Sequence, residues 1–259
     1  MSSFSTAGLG KVLFRFRSFT PVPVLALLGL LLWRSRGQAG PGGDFVDAGL
    51  NGLGLWVALA GQALRFYTLG QVPEGTSGQG SQLEAVTLNT RGPYAYVRNP
   101  LYLGNLGIIL GLLLIAHDVW VYALGLSFFF GEYFFIIRAE EDFLRAQFGA
   151  KYEEFLKKVP RWVPRLSPAY EGELRAGFDL ARALKKEHNP FAAWGSGALL
   201  LLGWELYARQ NLTSGRLTGL VCLEAAVLVS FALIKAYKHG WVGVPSRGSP
   251  NRQPGGVDE

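Results

Sequence analysis

The chain has 259 residues, 49% of them hydrophobic and only 17% charged, with 34 glycines and a formal net charge of +6. That balance argues against an ordinary soluble enzyme and suits a membrane protein built from closely apposed helices. The single cysteine, Cys222, excludes an internal disulfide, and His117, His188 and His239 stand far apart, with no Cys or His metal spacing. The basic excess reads as loop charge on one membrane face and not as a nucleic-acid surface.

Apolar windows fall at about 18–33, 48–64, 101–117, 119–137, 191–208 and 217–234. The first, centred on Pro21–Trp33 behind Lys11, Arg15 and Arg17, has the form of a signal peptide. Arg34 and Arg36 follow it in place of a small-residue cleavage site, so it is expected to be a retained span. A helix of about 18 residues reaches about 27 Å, close to the hydrocarbon thickness. Pro21, Pro23 and several glycines shorten or break the first two windows. Only helices satisfy their backbones at these lengths in lipid. The expected fold is therefore all-α, a polytopic transmembrane helical bundle of about six spans with cytoplasmic-face amphipathic helices.

Four segments follow: an N-terminal segment with the first span (1–47), a core of spans two to four with the helix after them (48–166), an amphipathic connector with spans five and six (167–242), and a tail expected to be disordered (243–259). With six spans both termini share a side, which carries 21 of the 25 lysines and arginines, and only Arg34, Arg36, Arg209 and Arg216 lie opposite. The basic side is the cytoplasmic one. Spans three and four meet at the short turn His117-Asp118, so the stretches before span three and after span four should emerge side by side.

The first of these is TRGPYAYVRNPLYLGN (Thr90–Asn105). Gly92-Pro93 signals a turn, Asn99 precedes a proline and is pushed toward extended backbone, and Pro100 fits the first turn of span three. The helix start beside Arg98 suits an anionic group. Tyr94, Tyr96 and Tyr102 fit either an interfacial aromatic belt or a pocket wall. The Gly-, Ser- and Gln-rich loop Glu74–Thr90 feeds this stretch as a connector or a lid.

The second stretch is RAEEDFLRAQFGAKYEEFLKKVPRWVPRL (Arg138–Leu166), in which Leu144, Phe148, Tyr152, Leu156 and Val159 recur at helical spacing. Gly149 is a candidate break, and Pro160 and Pro164 end the pattern. Glu141 and Arg145 form an i, i+4 surface pair by spacing. Glu140 has no basic residue at +3 or +4, and a cationic ligand group would supply the partner it lacks.

Together GPYAYVRNPLYLG and RAEEDFLRAQFGAKYEEFLKKVPRWVP resemble the paired signature of the isoprenylcysteine carboxyl methyltransferase and phospholipid methyltransferase superfamily. That signature is G-P-Y-x-x-V-R-H-P-x-Y-x-G, a helical hairpin, then E-E-x-x-L-x-x-x-F-G-x-x-Y. The likeness covers roughly residues 50–166 and implies an integral-membrane methyltransferase using S-adenosylmethionine. It implies that Leu88, Tyr94, Asn99, Pro100 and Tyr102 line the cofactor pocket with Glu140, and with Glu141 as a further carboxylate. Asn99 stands where the family usually has His, which keeps hydrogen bonding and removes a titrating role.

Methyl transfer needs positioning and exclusion of water, without a metal or a covalent enzyme intermediate. The missing His favours an acceptor already ionised at neutral pH, a carboxylate or phosphate oxygen on a lipid or lipidated substrate, with Arg98 and Arg138 orienting it. The alternatives are a phospholipid amine N-methyltransferase, a membrane reductase of the sterol type, which resembles the Arg-x-Pro-x-Tyr region but binds NADPH, and a non-catalytic membrane component. The expected location is the cytoplasmic (inner) membrane, with the active site facing the cytoplasm.

Beyond the signature, ELRAGFDLARALKKEHNP reads as a basic amphipathic helix, with a faint likeness of this extension to lipid A phosphate methyltransferases. Asn211-Leu212-Thr213 is a chance glycosylation sequon. Glu205 reads as interfacial and Glu224 as a deeper carboxylate of functional interest.

Overall fold

The computed structural model describes residues 6–17, 21–34, 43–72, 85–170 and 177–241. Those residues form eight α-helices and one 3-10 turn, with no strand among them: α1 (Thr6–Phe16), α2 (Pro21–Arg34), α3 (Gly43–Gln71), the turn Gly92–Ala95, α4 (Pro100–Ala116), α5 (Val119–Phe148), α6 (Ala150–Lys158), α7 (Leu180–Ala208) and α8 (Ser214–Lys238). The all-helical expectation holds. The first part of the loop before Thr90 (residues 73–84), residues 171–176 and the tail Gly243–Glu259 lie outside the described residues.

Each predicted span falls on a helix, but the helices differ in what they are fit to cross. Two, α5 and α8, are long and apolar enough to span a bilayer, and α4 and the Pro23–Arg34 part of α2 are apolar but shorter. α3 and α7 carry buried polar groups instead, among them Asp47, Gln62 and Arg65 on α3 and Glu187 and His188 on α7. Asp47, Gln62, Arg65 and Glu187 find partners within the protein, so polarity is spent in helix contacts that a hydropathy window counts against a span.

The centre of the fold is the packing of α3 on α4, with α7 across both. Glycines allow the close approach. A Cβ on Gly61 would stand 2.5 Å from the Gly104 carbonyl oxygen, and one on Gly111 would stand 2.3 Å from that of Gly54. Any side chain there forces the backbones apart. Ala58, Ile108, Ile115, Trp194 and Ala198 fill the adjoining core.

α4 passes into α5 through His117, which adopts φ 53, ψ 24. Asp118 then caps α5, its carboxylate accepting from Trp120 N at 2.8 Å and Val121 N at 3.0 Å. α5 runs unbroken for 30 residues, past the end of the predicted fourth span, and stops at Gly149 with φ 52. Its length is therefore about 45 Å, which carries Glu140 and Glu141 beyond the apolar part. α1 packs against α5 through Gly10 and the buried Phe14. The predicted connector and fifth span are one helix, α7, capped by Asp179 and continuous through Pro190. α8 touches α7 and has no buried residue.

Candidate active site

The stretches before α4 and after α5 are bonded to one another. Residues 160–169 run back along 95–99, with Arg98 N donating to Pro160 O at 2.9 Å, Arg165 N to Tyr96 O at 3.0 Å and Ala169 N to Ala95 O at 2.8 Å. The Asn99 side chain donates to Arg161 O at 3.2 Å. Beneath this strap Tyr152, Phe155 and Val159 form a buried cluster that also packs Leu88, Leu144 and Phe148. The helical spacing of these residues thus serves a local core on the site and not only a membrane surface.

A cavity of about 580 Å³ opens beside the strap, between the end of α1, the start of α4, the last third of α5 and the first turns of α7. Glu140 stands in its wall. Tyr102 OH donates to Glu140 Oε1 at 2.6 Å, and the Tyr102 ring packs on Tyr133 at 4.7 Å. Burial pushes the Glu140 carboxyl up to about 7, against the opposing pull of the Tyr102 hydroxyl and of Arg17, while Glu141 adds to the rise. Burial, with Glu140 nearby, likewise raises the Tyr94 phenol above its ordinary range. A carboxylate so placed ionises more readily once a cationic group enters the cavity.

Glu141 has a different task. Its side chain is 6% exposed and accepts from Arg98 Nη1 at 3.0 Å and from Arg161 at 2.6 and 3.1 Å. The expected surface pair with Arg145 does not form. Arg145 is exposed and bonds Glu153 of α6 at 2.9 Å and Asp142 at 3.3 Å. The break at Gly149 brings Glu153 round to Arg145 on the outside. Glu141 faces inward, where it ties the two motif stretches together.

Leu88, Tyr94, Arg98, Asn99, Tyr102, Glu140 and Glu141 all line the cavity. Pro100 is buried at the first turn of α4 and sets the direction of that helix without facing the cavity. Arg138 is exposed on α5, its guanidinium 5.4 Å over the Phe134 ring, and the structure does not bring it to the cavity.

Other lining residues come from elements that the motifs do not cover: Arg17 of the chain after α1, Arg65 of α3, Lys185, Lys186 and His188 of α7, and Lys238 of α8. Arg65 is held by Glu187 at 2.6 and 2.9 Å and donates to Asn105 Oδ1 at 2.5 Å, and Asn105 donates to Tyr133 OH at 2.6 Å. Gln62 joins the same network, donating to Glu187 at 2.7 Å and accepting from Trp194 Nε1 at 2.8 Å. An arginine directly behind an apolar window, as Arg65 is behind 48–64, is the signal that points to such a network; its partner, 122 residues away, leaves no local trace. Glu224, the deeper carboxylate of the last span, accepts from Ser196 Oγ at 2.8 Å and joins α8 to α7.

These features describe a helical membrane protein with a polar cavity built from the paired methyltransferase motifs. Residues 52–151 match the phospholipid methyltransferase family, a match consistent with the membrane methyltransferase superfamily that the motifs resemble. The chain is also similar to the cobalt-zinc-cadmium resistance protein CzcN of Cupriavidus metallidurans, 40% identical over 87 residues. That alignment covers 34% of this chain and 39% of the relative, so the chain spans well under half the length of the curated relative it matches. No solved structure matches the chain. The family match supports a membrane methyltransferase.

Proposed function

We propose that the chain is an integral-membrane methyltransferase that moves a methyl group from S-adenosylmethionine to an anionic oxygen, a carboxylate or phosphate, on a lipid or lipidated substrate. In this reading six helices, α2 to α5 with α7 and α8, cross the inner membrane and the cavity opens to the cytoplasm. The observation that carries it is Glu140, a carboxylate at the wall of a 580 Å³ cavity, raised to about 7 by burial and oriented by Tyr102. Such a group favours a positively charged ligand, and the cavity volume falls within the roughly 300–1,000 Å³ of small-molecule sites.

When bound, S-adenosylmethionine supplies a methyl group on a cationic sulfur, open to in-line displacement. Glu140 meets the ammonium charge that this ligand keeps after methyl transfer, and Tyr102 fixes the carboxylate by its 2.6 Å hydrogen bond. Asn99, Leu88 and Tyr94 supply wall and neutral hydrogen bonds. Glu141, by holding Arg98 and Arg161, keeps the strap closed against the cavity and limits water. Lys185, Lys186 and Lys238, with Arg98, give one side a basic lining that draws an acceptor oxygen already ionised at neutral pH. No proton then has to be removed by the protein, and catalysis rests on positioning. Arg138, outside the cavity, suits an anionic headgroup at the membrane surface.

One observation favours a second acceptor. A carboxylate near 7 is also equipped to take a proton from an amine. The two readings separate in the pH dependence of kcat at saturating cofactor, which is flat near neutrality for an anionic oxygen and falls with acid for an amine. Calorimetric titration of the purified protein with S-adenosylhomocysteine and with NADPH tests the cofactor itself. Binding of the first supports the proposal, and binding of NADPH alone would replace it with the reductase reading.

A further inference from the structure

At the opposite end of α3 from Arg65, about 27 Å along the helix, three distant parts of the chain converge. Asp47 comes from the first turns of α3, His117 from the α4–α5 turn and Glu205 from the last turn of α7. One ligand atom from each lies within 4.8 Å of the other two. His117 Nδ1 stands 3.6 Å from Asp47 Oδ1 and 3.8 Å from Glu205 Oε1. Both separations are too long for a hydrogen bond. They are close to the roughly 3.4 Å between two ligands of one tetrahedral ion with metal–ligand bonds of about 2.0–2.2 Å. Asp47 is 1% exposed and the His117 side chain 6%, yet Asp47 Oδ1 and both His117 ring nitrogens are buried without a hydrogen-bond partner.

The outer atoms of the same carboxylates are occupied. Arg209 bonds Asp47 Oδ2, and Asn51 donates to Glu205 Oε2 at 2.7 Å. Arg209 Nε also lies 3.4 Å from Glu205 Oε1. These neighbours orient the two carboxylates while leaving Asp47 Oδ1 facing the imidazole. Two carboxylates here face one guanidinium, that of Arg209. His117 holds a left-handed conformation at φ 53, one that His, Asn and Asp adopt more readily than other residues with side chains.

We propose that Asp47, His117 and Glu205 bind a divalent transition-metal ion of the zinc class, at the end of the bundle remote from the methyl-transfer cavity. One imidazole and two carboxylates are suitable ligands for such an ion. The ion would pin α3, the α4–α5 hairpin and α7 together and set positive charge against the two carboxylates. No Cys or His spacing announces this site, because each ligand comes from a different helix end.

The test uses the full-length protein in detergent, freed of tags and stripped with chelator, with Co(II) as the spectroscopic probe. The wild type should take up a single Co(II) with visible d–d absorption, Zn(II) should displace it, and Zn(II) should raise the thermal midpoint. His117→Asn keeps a residue suited to the left-handed turn, so it should fold, and it should weaken Co(II) binding by more than about tenfold. Asp47→Asn should behave likewise, whereas Glu224→Gln, which alters a carboxylate away from the cluster, should bind as the wild type does. Absence of Co(II) uptake by the wild type would overturn the proposal, as would undiminished uptake by a folded His117→Asn.

Discussion

Replacing Glu140 with Gln removes the charge while keeping the volume and an acceptor for Tyr102. The rise of the carboxyl from 4.5 to about 7 corresponds to roughly 3 kcal/mol of ionisation cost. The open cavity leaves Glu140 some solvent, so only part of that is recovered when a cation binds. Taking about 1.4 kcal/mol as the floor, Glu140→Gln should weaken S-adenosylhomocysteine binding at least about tenfold at pH 8. Wild-type affinity should fall as pH drops through 7, because the free carboxyl protonates there, and the Gln variant should lack this dependence. The stability effect has the opposite sign. Between about 4.5 and 7 the folded wild type holds a proton that the unfolded chain has lost, so stability is highest below 4.5 and falls as pH rises through 7. Ligand-free Glu140→Gln should therefore melt no lower than the wild type at pH 8, which separates lost binding from misfolding. Calorimetry and thermal unfolding at pH 5, 6, 7 and 8 read both. Equal affinity of the two proteins at pH 8, or a wild-type affinity indifferent to pH, would refute the reasoning.

Glu141→Ala should destabilise by about 1–3 kcal/mol, since it leaves the partly exposed Arg98 and Arg161 without their shared carboxylate; Arg145→Ala, at an exposed pair, should cost no more than about 1 kcal/mol. Chemical unfolding of both variants checks the contrast. Asn99→Ala should raise the cofactor constant through the loss of its bond to Arg161 O, by about 1–3 kcal/mol, while Asn99→His should add no ionisation near 6.5 to kcat. The pH–rate profiles decide this. On a Cys222→Ser background, single cysteines at the exposed Arg91 and Gln147 should react with an impermeant thiol reagent from the cytoplasmic side. Reaction of both only from the other side would reverse the topology.

What the sequence made legible was local in the chain or set by a short turn. His117-Asp118 forces α4 and α5 into a hairpin, so the two motifs had to meet, and Gly149 and Pro160 mark the ends of α6 where they stand. The inward Glu140 could be singled out because its own helix offers it no cation. Spacing misassigned Glu141, since an i, i+4 match cannot tell that Arg161 returns along the strap after two helix ends. Lys185, Lys186 and Lys238 were invisible as site residues because α7 and α8 reach the cavity only in three dimensions. Among the described residues only α5 and α8 have the length and hydropathy of a span, for a related reason: Arg65 and Glu187 cancel each other across 122 residues, and hydropathy taken along one helix registers each as a cost.

The central claim is transfer of a methyl group to a membrane lipid or lipidated molecule by way of the Glu140 cavity. It is tested most directly by incubating membranes that contain the protein with S-adenosylmethionine carrying a radiolabelled methyl group, then extracting and separating the lipids. The account predicts label in a discrete, negatively charged lipid species made neutral or less acidic by methylation, with little or none in membranes bearing Glu140→Gln. Label confined to an amine headgroup would contradict the anionic acceptor, and no label above membranes lacking the protein would contradict the methyltransferase itself.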